Sequence, residues 1–559
     1  MAIRVARFLR FVSLLRLEPY IVLFTAFYFV KRNALDVLIQ DKICVHKYNM
    51  PEDFCYHLAS IKKNDTNAHI KTDILADAVM YNTYQQLLTQ PLSIIWSLFL
   101  GTWVDKYPKG RKWIFIIAAV TQAMEAAINA CNSYFFSLNV NWVLLALVPY
   151  ILSGASTFTT MYSYVGATTP SKWKTTRMTI LEMCQALAQP LGVFVGGQMI
   201  NLTPVLGNGQ VHNYGLIFFV SSCGMIGAFL WTAFFIDQQQ NKQNFEKYFG
   251  DNNVENKPEI SPKSVEIPGE KSDENSGAII NDETVDLPVA DRAKHPIRLL
   301  LDYKNIVVII MSCFKRRHNR ATTKIWLVII ANFCLYMIRT GNSTFLFQFV
   351  EKIYHWDAKE YSQFQSMSLA INSISVILMT YVFIKILKLH DMWLAIIGFT
   401  SVLLQNLVLA IILNPTGYYI SMGVNCMNSL GSIGYKSYLS KVTEPSALGK
   451  VFTMMSFVDG FAPMIASPLF ALMFRKTIDS APSTCFAIVA TLAAIPIVIA
   501  LGINYLSKVP TGANPTEPAI IEQNVEPVPT LHTNGKLSGD NYNGVRNINS
   551  ISSLKSNQD

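Results

Sequence analysis

Charge is scarce in this chain. Only 15% of its 559 residues are Asp, Glu, Lys or Arg, while 51% are hydrophobic; ordinary soluble domains carry about a quarter charged residues. That balance excludes a disordered chain and argues against a soluble enzyme. The nine cysteines are scattered, mostly inside apolar stretches, without a CxxC or a Cys/His set at zinc spacing, so neither a disulfide scaffold nor a metal module is expected. A Walker loop is missing, which counts against ATP-driven work. No Ser/His/Asp set falls on one face, and no cofactor site is evident. None of the nine histidines lies within an apolar segment, and His355 is expected to be a solvated loop residue.

What the chain has in excess is long apolar runs, with a mean hydropathy of +0.28. Twelve can be delimited, at 18–40, 76–100, 113–134, 142–165, 177–200, 214–236, 325–349, 361–385, 391–413, 417–440, 449–474 and 484–506. Each is near the ~20 residues that cross a bilayer core. The expected class is an all-α membrane protein with two six-helix halves, 18–236 and 323–506. A polar segment, 237–322, joins them, rich about 238–290 in Asn, Lys, Glu, Ser and Pro and expected to be largely disordered. Within it 297–311 suits an amphipathic surface helix, followed by the basic stretch Lys315–Arg320. The tail 507–559 is expected to be disordered.

The net charge of +9 comes from 46 Lys+Arg and 37 Asp+Glu. The positives lie in short loops between spans, which indicates topology and not a nucleic-acid partner. Residues 1–17 and the second-to-third, fourth-to-fifth and sixth-to-seventh loops are basic, while 135–141 and 201–213 lack Lys and Arg. Both termini are therefore expected in the cytosol, and the basic N-terminus, followed early by Glu18 without a small-residue cleavage site, is expected to be retained. Loop 41–75 faces the other side. It holds the sequon at Asn64 and the cysteines Cys44 and Cys55, a glycosylation site and a disulfide that agree with that location. Asn201-Leu-Thr is a second sequon, weakened by Pro204, and Asn342-Ser-Thr reads as intramembrane.

The second-to-third loop runs from Gly101 through Asp105-Lys106 to Gly110-Arg111-Lys112. This resembles the major facilitator signature, with Asp105 and Gly110 two residues further apart than the pattern has them. In it a glycine permits close helix approach, and an aspartate at a helix end meets basic residues to form a latch between rocking halves. Gly101, Asp105, Gly110, Arg111 and Lys112 are the expected latch.

Four further motifs sharpen the resemblance: Leu17-Glu18-Pro19, Arg177-Met178 through Leu181-Glu182, Trp356-Asp357, and Lys436 through Leu439-Ser440-Lys441. In this order they resemble the family containing the proton-coupled folate transporter and the thymic stromal cotransporter, over residues 10–506. That resemblance implies the major facilitator fold. It also implies proton symport of organic, often anionic solutes, including folates and in some members muropeptides. By position Glu182 would be the proton-coupling carboxylate and Lys436 a basic group in the substrate or coupling pathway.

Counted from the start of the fifth span, Glu182 is about five residues, ~8 Å, deep, where desolvation would make it a proton carrier. The other reading is a structural pair with Arg177. Lys31, Arg32, Glu125, Arg339 and Asp459 also lie inside spans, at about 2.5–3.5 kcal/mol each on insertion scales, so each needs a partner or a wet cavity. Glu125 and Asp459 join Glu182 as proton-coupling candidates. Arg339 precedes Gly341-Asn342, where the glycine could break the seventh helix and build a substrate site; its fork suits a carboxylate or phosphate. The other reading is an Arg339–Glu125 or Arg339–Asp459 pair. Lys31 and Arg32 would be at the interface if the first helix ends beside them. Arg339, Lys436, Asn342 and Gln185 are the expected substrate contacts. Pro190 through Gly192 and Gly196-Gly197 reads as close helix packing.

The expected function is a proton-coupled symporter of small organic anions, folate-like or muropeptide-like. A proton-independent carrier and a non-transporting receptor or trafficking partner are the other readings. Tyr542-Asn-Gly-Val545 resembles a tyrosine sorting signal; plasma membrane and lysosomal membrane both stay open, as do substrate identity and oligomeric state.

Overall fold

A computed structural model describes residues 13–249 and 321–508 except 63–64, 107–109, 154–155, 208 and 444. Asn64, the 297–311 segment, Lys315–Arg320 and Tyr542 lie outside the described residues, and Gly101 and Asp105 are described by their backbone alone.

All twelve apolar runs are helical among the described residues. The first helix is Glu18–Lys42, the second Ala68–Lys106, the third Gly110–Tyr134. The fourth comes in two pieces, Leu147–Ser153 and Ser156–Thr168. The fifth and sixth are Ser171–Ile200 and Tyr214–Phe235. The second half has Ala321–Ile353, Ala358–Tyr381, Asp391–Ile411, Pro415–Val424 with Asn428–Val442, Pro445–Thr477 and Thr484–Lys508 as the seventh to twelfth. Prolines 91, 190, 463, 468 and 496 sit inside these helices; a bilayer helix tolerates this because neighbours re-satisfy the freed carbonyls. The Tyr435 hydroxyl donates to the Pro496 carbonyl at 2.5 Å and ties the tenth helix to the twelfth.

The first helix spans the expected run 18–40, and two alternatives about helix ends are set aside. The first helix does not stop at Lys31-Arg32 but runs on to Lys42 and then through a π-turn, Ile43–Lys47, that carries Cys44 to its disulfide with Cys55. The seventh helix does not break at Gly341. Phe470 of the eleventh helix lies against that glycine, where a Cβ would come within 2.6 Å of the ring. The tenth helix is the interrupted one, through a 3-10 turn at Asn425–Met427. An amide chain lines the break: Asn428 donates to Asn425 at 3.0 Å, Ser429 to Asn428 at 2.9 Å, and Asn372 of the eighth helix to Ser429 at 3.3 Å.

Within each half the helices pack first on fifth, third on sixth, ninth on tenth and ninth on twelfth. Between halves the fifth packs on the eighth and the second on the eleventh. Exchanging the halves turns one of these pairs into the other, so the interface has a pseudo-two-fold character that the sequence itself does not display. Small residues set the distances. A Cβ at Gly192 or Gly196 would collide with the first-helix carbonyls of Ala26 or Val30, and one at Gly197 with Ser362 of the eighth helix.

Gly192→Val should therefore wedge the first and fifth helices apart, at about 1–3 kcal/mol for overpacking. We predict a lower melting temperature for the detergent-solubilised variant. Gly227, which has open space around it, should accept alanine without loss. Equal melting temperatures for the two variants would refute the packing account.

Candidate functional site

The two ends of the helix bundle differ. One carries the disulfide loop; the other carries the segment joining the halves, and they are called here the disulfide end and the linker end. At the disulfide end polar side chains stitch half to half. Asn33 donates to Ser362 and Gln365, both at 2.9 Å. Gln40 donates to both carboxylate oxygens of Glu351, at 3.0 and 2.9 Å. Asn201 donates to Asp357 at 2.7 Å, Thr72 to Asp479 at 3.0 Å, and Arg475 pairs with Asp77 at 3.4 Å. Trp356-Asp357 serves this end structurally: Asp357 caps the eighth helix in a capping box with Glu360, and Trp356 stacks on Phe364 at 4.3 Å.

Deeper in the first half, Lys31 forms an ion pair with Glu125 and donates to Gln122 at 2.9 Å. Gln122 and Glu125 are three apart on the third helix and so share a face. Both charged side chains are almost fully buried. Arg32 lies in the fields of Asp36, Tyr28, Tyr150 and Glu125; Tyr28, Arg32 and Asp36 form one stripe at helical spacing. Sequence reading left Asp36 aside because it carries no motif.

In the second half the geometry is different. Arg339 and Lys436 are exposed and make no hydrogen bond or ion pair with a described residue. Lys436 feels the charges of Arg339, Asp459 and Glu182. Asp459 is 7% exposed and accepts from Asn332 at 2.5 Å. Glu182, from the first half, accepts from the Tyr162 hydroxyl at 3.2 Å. The fold therefore brings together four of the residues expected from sequence, two of them cations without partners. Gln185 is one helical turn from Glu182 and half-buried. Asn342 is one turn from Arg339, with its side-chain oxygen buried and without a hydrogen bond.

Several alternatives are resolved by this geometry. Glu125 is held by Lys31 and not by Arg339. Glu182 is exposed and not desolvated, although it lies well inside its helix, Ser171–Ile200. Arg177 does not pair with Glu182. It is fully buried, 2.9 Å from Glu18, bonded to Thr168 and Thr169 at 3.0 Å each, with Phe245 4.5 Å beyond. Two motif residues 159 positions apart thus hold the first helix to the fifth. Of the expected latch, Arg111 reaches Ser163 at 3.1 Å, Lys112 the Ala233 carbonyl at 2.9 Å, and Gly110 lies against Trp103.

Removing one member of a buried pair leaves the other charge stranded, at about 3–5 kcal/mol. Arg177→Met should therefore sharply reduce the folded protein recovered by size-exclusion chromatography. Adding Glu18→Gln should restore much of it. Equal recovery of the single and double variants would show that the pair is not what holds these helices.

The sequence profile of the Major Facilitator Superfamily matches residues 87–467. A Drosophila melanogaster protein described as a probable peptidoglycan muropeptide transporter, SLC46, is 18% identical over 493 residues, covering 86% of this chain and 84% of that protein. The fold is similar to the crystal structure of the peptide transporter POT in complex with sulfate, with a TM-score of 0.54 and 14% identity over 87% of this chain and 95% of that one. It is also similar to the human organic anion transporter MFSD10, with a TM-score of 0.54 and 11% identity over 88% of this chain and 99% of that one. The profile covers more than half of the chain: this chain belongs to the Major Facilitator Superfamily and is a multi-pass membrane transporter.

Proposed function

We propose that the chain is a proton-coupled symporter of a small organic anion, working by alternating access. The observation that carries this reading is the pair of unpartnered cations, Arg339 and Lys436, beside the carboxylates Glu182 and Asp459. An unpaired cation inside a bundle is costly unless water or a ligand anion reaches it, and a guanidinium grips a carboxylate or phosphate bidentately. The similarity to the fly muropeptide transporter supports a muropeptide-like solute, which bears carboxylates; a folate-like solute has the same chemistry. Asn342 and Gln185 flank the cations and supply neutral hydrogen bonds.

The Lys/Arg asymmetry supports a cytosolic linker end and an outward disulfide end, with halves 18–236 and 323–506. With the outer end stitched and Glu182, Arg339 and Lys436 exposed at the other, the state described is inward-facing. A second reading rests on one observation: Glu182 is solvent-exposed here, as a carboxylate would be in a proton-independent carrier.

The test is uptake of labelled muramyl dipeptide and labelled folate by cells expressing the chain at the surface, at acidic and neutral pH, with and without protonophore. We expect acid-stimulated, protonophore-sensitive uptake of one of them. Lys436→Ala should cut it roughly tenfold or more, since a hydrogen bond to a charged group contributes about 1.5–3 kcal/mol. Glu182→Gln should remove the acid stimulation. Uptake that protonophore leaves untouched would favour the second reading, and wild-type rates in Lys436→Ala would overturn the anion site.

A further inference from the structure

The proposed coupling site uses Glu182 and Asp459, but the closed outer end holds a second titratable cluster that this function does not absorb. His212, in the fifth-to-sixth loop, donates through Nδ1 to Asp41 Oδ2 at 2.7 Å, and the Tyr214 hydroxyl donates to the same oxygen. Tyr56 of the disulfide loop stacks on the imidazole at 4.9 Å. The next residue along the first helix, Gln40, is the one that clasps Glu351 of the opposite half. Lys71 donates to the backbone carbonyl of Glu351 at 3.2 Å and to those of Ala59 and Ile61. Asp41, Gln40 and Glu351 are each at most 3% exposed, and His212 is 8% exposed. The outer oxygens Asp41 Oδ1 and Gln40 Oε1 are buried without a partner.

The groups facing His212 are therefore Asp41 from the first helix, Tyr214 from the sixth, Tyr56 from the disulfide loop, Glu351 from the seventh helix and Asp357 from the loop beyond it, with Lys71 of the second helix behind Glu351. Asp41 and His212 belong to one half, Glu351 and Asp357 to the other. Closing the outer end thus gathers three carboxylates around one lysine, an excess of two negative charges when the imidazole is neutral and of one when it is charged.

We propose that His212 is a proton-binding residue of the outer gate, and that a proton on it favours closure by offsetting the carboxylates Glu351 and Asp357 that the opposite half brings up. The sign follows from linkage. Burial pulls the His212 pKa down, but Asp41, and after it Glu351 and Asp357, outweigh burial and raise it above the ordinary histidine value. Asp41, Tyr214 and Tyr56, which pack on the imidazole, belong to its own half and stay with it when the gate opens, whereas Glu351 and Asp357 move away, so the closed gate binds the proton more tightly. The more proton-rich state gains as pH falls, so acid closes the outer gate and alkali releases it. The stability that the proton confers on the closed gate is present below the open-gate pKa of His212 and is lost as pH rises through its closed-gate pKa.

The inference rests on the alternating-access reading but not on symport, and the readout is accordingly conformation and not uptake. Spin labels on Glu52→Cys and Ala481→Cys, both exposed at this end in opposite halves, in protein whose free cysteines are replaced, report the gap in lipid nanodiscs without substrate. We expect the short distance at acidic pH and a growing longer population above neutrality. His212→Gln should abolish that pH dependence. Glu351→Gln with Asp357→Asn removes the charges that the opposite half brings up, so it should flatten the pH dependence while leaving His212 in place, and it serves if His212→Gln does not fold. An unchanged titration in these variants, a shift of the opposite sign, or no opening of the wild type at any pH would overturn the proposal. If Glu182→Gln loses acid-stimulated uptake while the distance still titrates, coupling and gate are separate sites. If symport itself fails while the titration persists, the gate inference stands alone.

Discussion

Lys31 and Arg32 place two adjacent cations in the middle of a helix that crosses the bilayer, and much of the first half is arranged around that fact. A charge there cannot be solvated by lipid, so the protein must supply counter-charges from other helices. Glu125 and Gln122 come from the third helix to Lys31, and Asp36 comes from the next turn of the same helix to Arg32. Supplying them fixes how the first helix is rotated. That rotation in turn presents Ala26 and Val30 to Gly192 and Gly196 of the fifth helix, and Asn33 and Gln40 to the opposite half. One electrostatic requirement thus sets both the packing within a half and the polar contacts between halves.

The halves are held together and kept separable by the same choice of chemistry. Their contacts at the disulfide end include amide–carboxylate and hydroxyl–carboxylate bonds and an ion pair, set beside an apolar cluster to which both halves contribute. Each such bond contributes about 1 kcal/mol or somewhat more, and water replaces it when the gate parts. Within a half, by contrast, pairs such as Glu18–Arg177 are dry and cannot be exchanged for water without unfolding. Rigid bundles with a wettable seam are what alternating access requires.

Much of the architecture was legible in the sequence, because hydropathy reports on spans directly: all twelve helices occur where apolar runs indicate them. Charges and glycines misled where a distant partner decides their role. Lys31-Arg32 looks like a helix end only while Glu125 and Asp36 are ignored, and Gly341 looks like a break until Phe470 is placed against it. Arg177 has a carboxylate five residues away and uses one 159 residues away instead, a preference that local spacing does not encode. Glu182 lies inside an apolar run, as counted, but its side chain is exposed and meets Tyr162, because depth along a helix does not say which way a side chain faces. His212, Asp41 and Glu351 belong to no motif, and only the fold brings them together.

The contrast between the two ends bears on how substrate and movement are linked under the proposed function. At the disulfide end polar side chains of the two halves already bond to one another, so that end is closed without a ligand. At the linker end Arg339 and Lys436 are exposed and pair with no described residue. Closing that end removes the water, and the two positive charges must then be balanced. Glu182 and Asp459 suffice if both are ionised, which lets an empty carrier reset. If both carry protons, the balance falls to the solute, and only an anion with about two negative charges restores neutrality. Empty and deprotonated, or loaded and protonated, are the two combinations that close at low electrostatic cost, while a protonated empty carrier would bury two bare cations in a low-dielectric interior. Strict coupling between proton and anion then needs no dedicated relay: it follows from the rule that the bundle does not occlude an uncompensated charge.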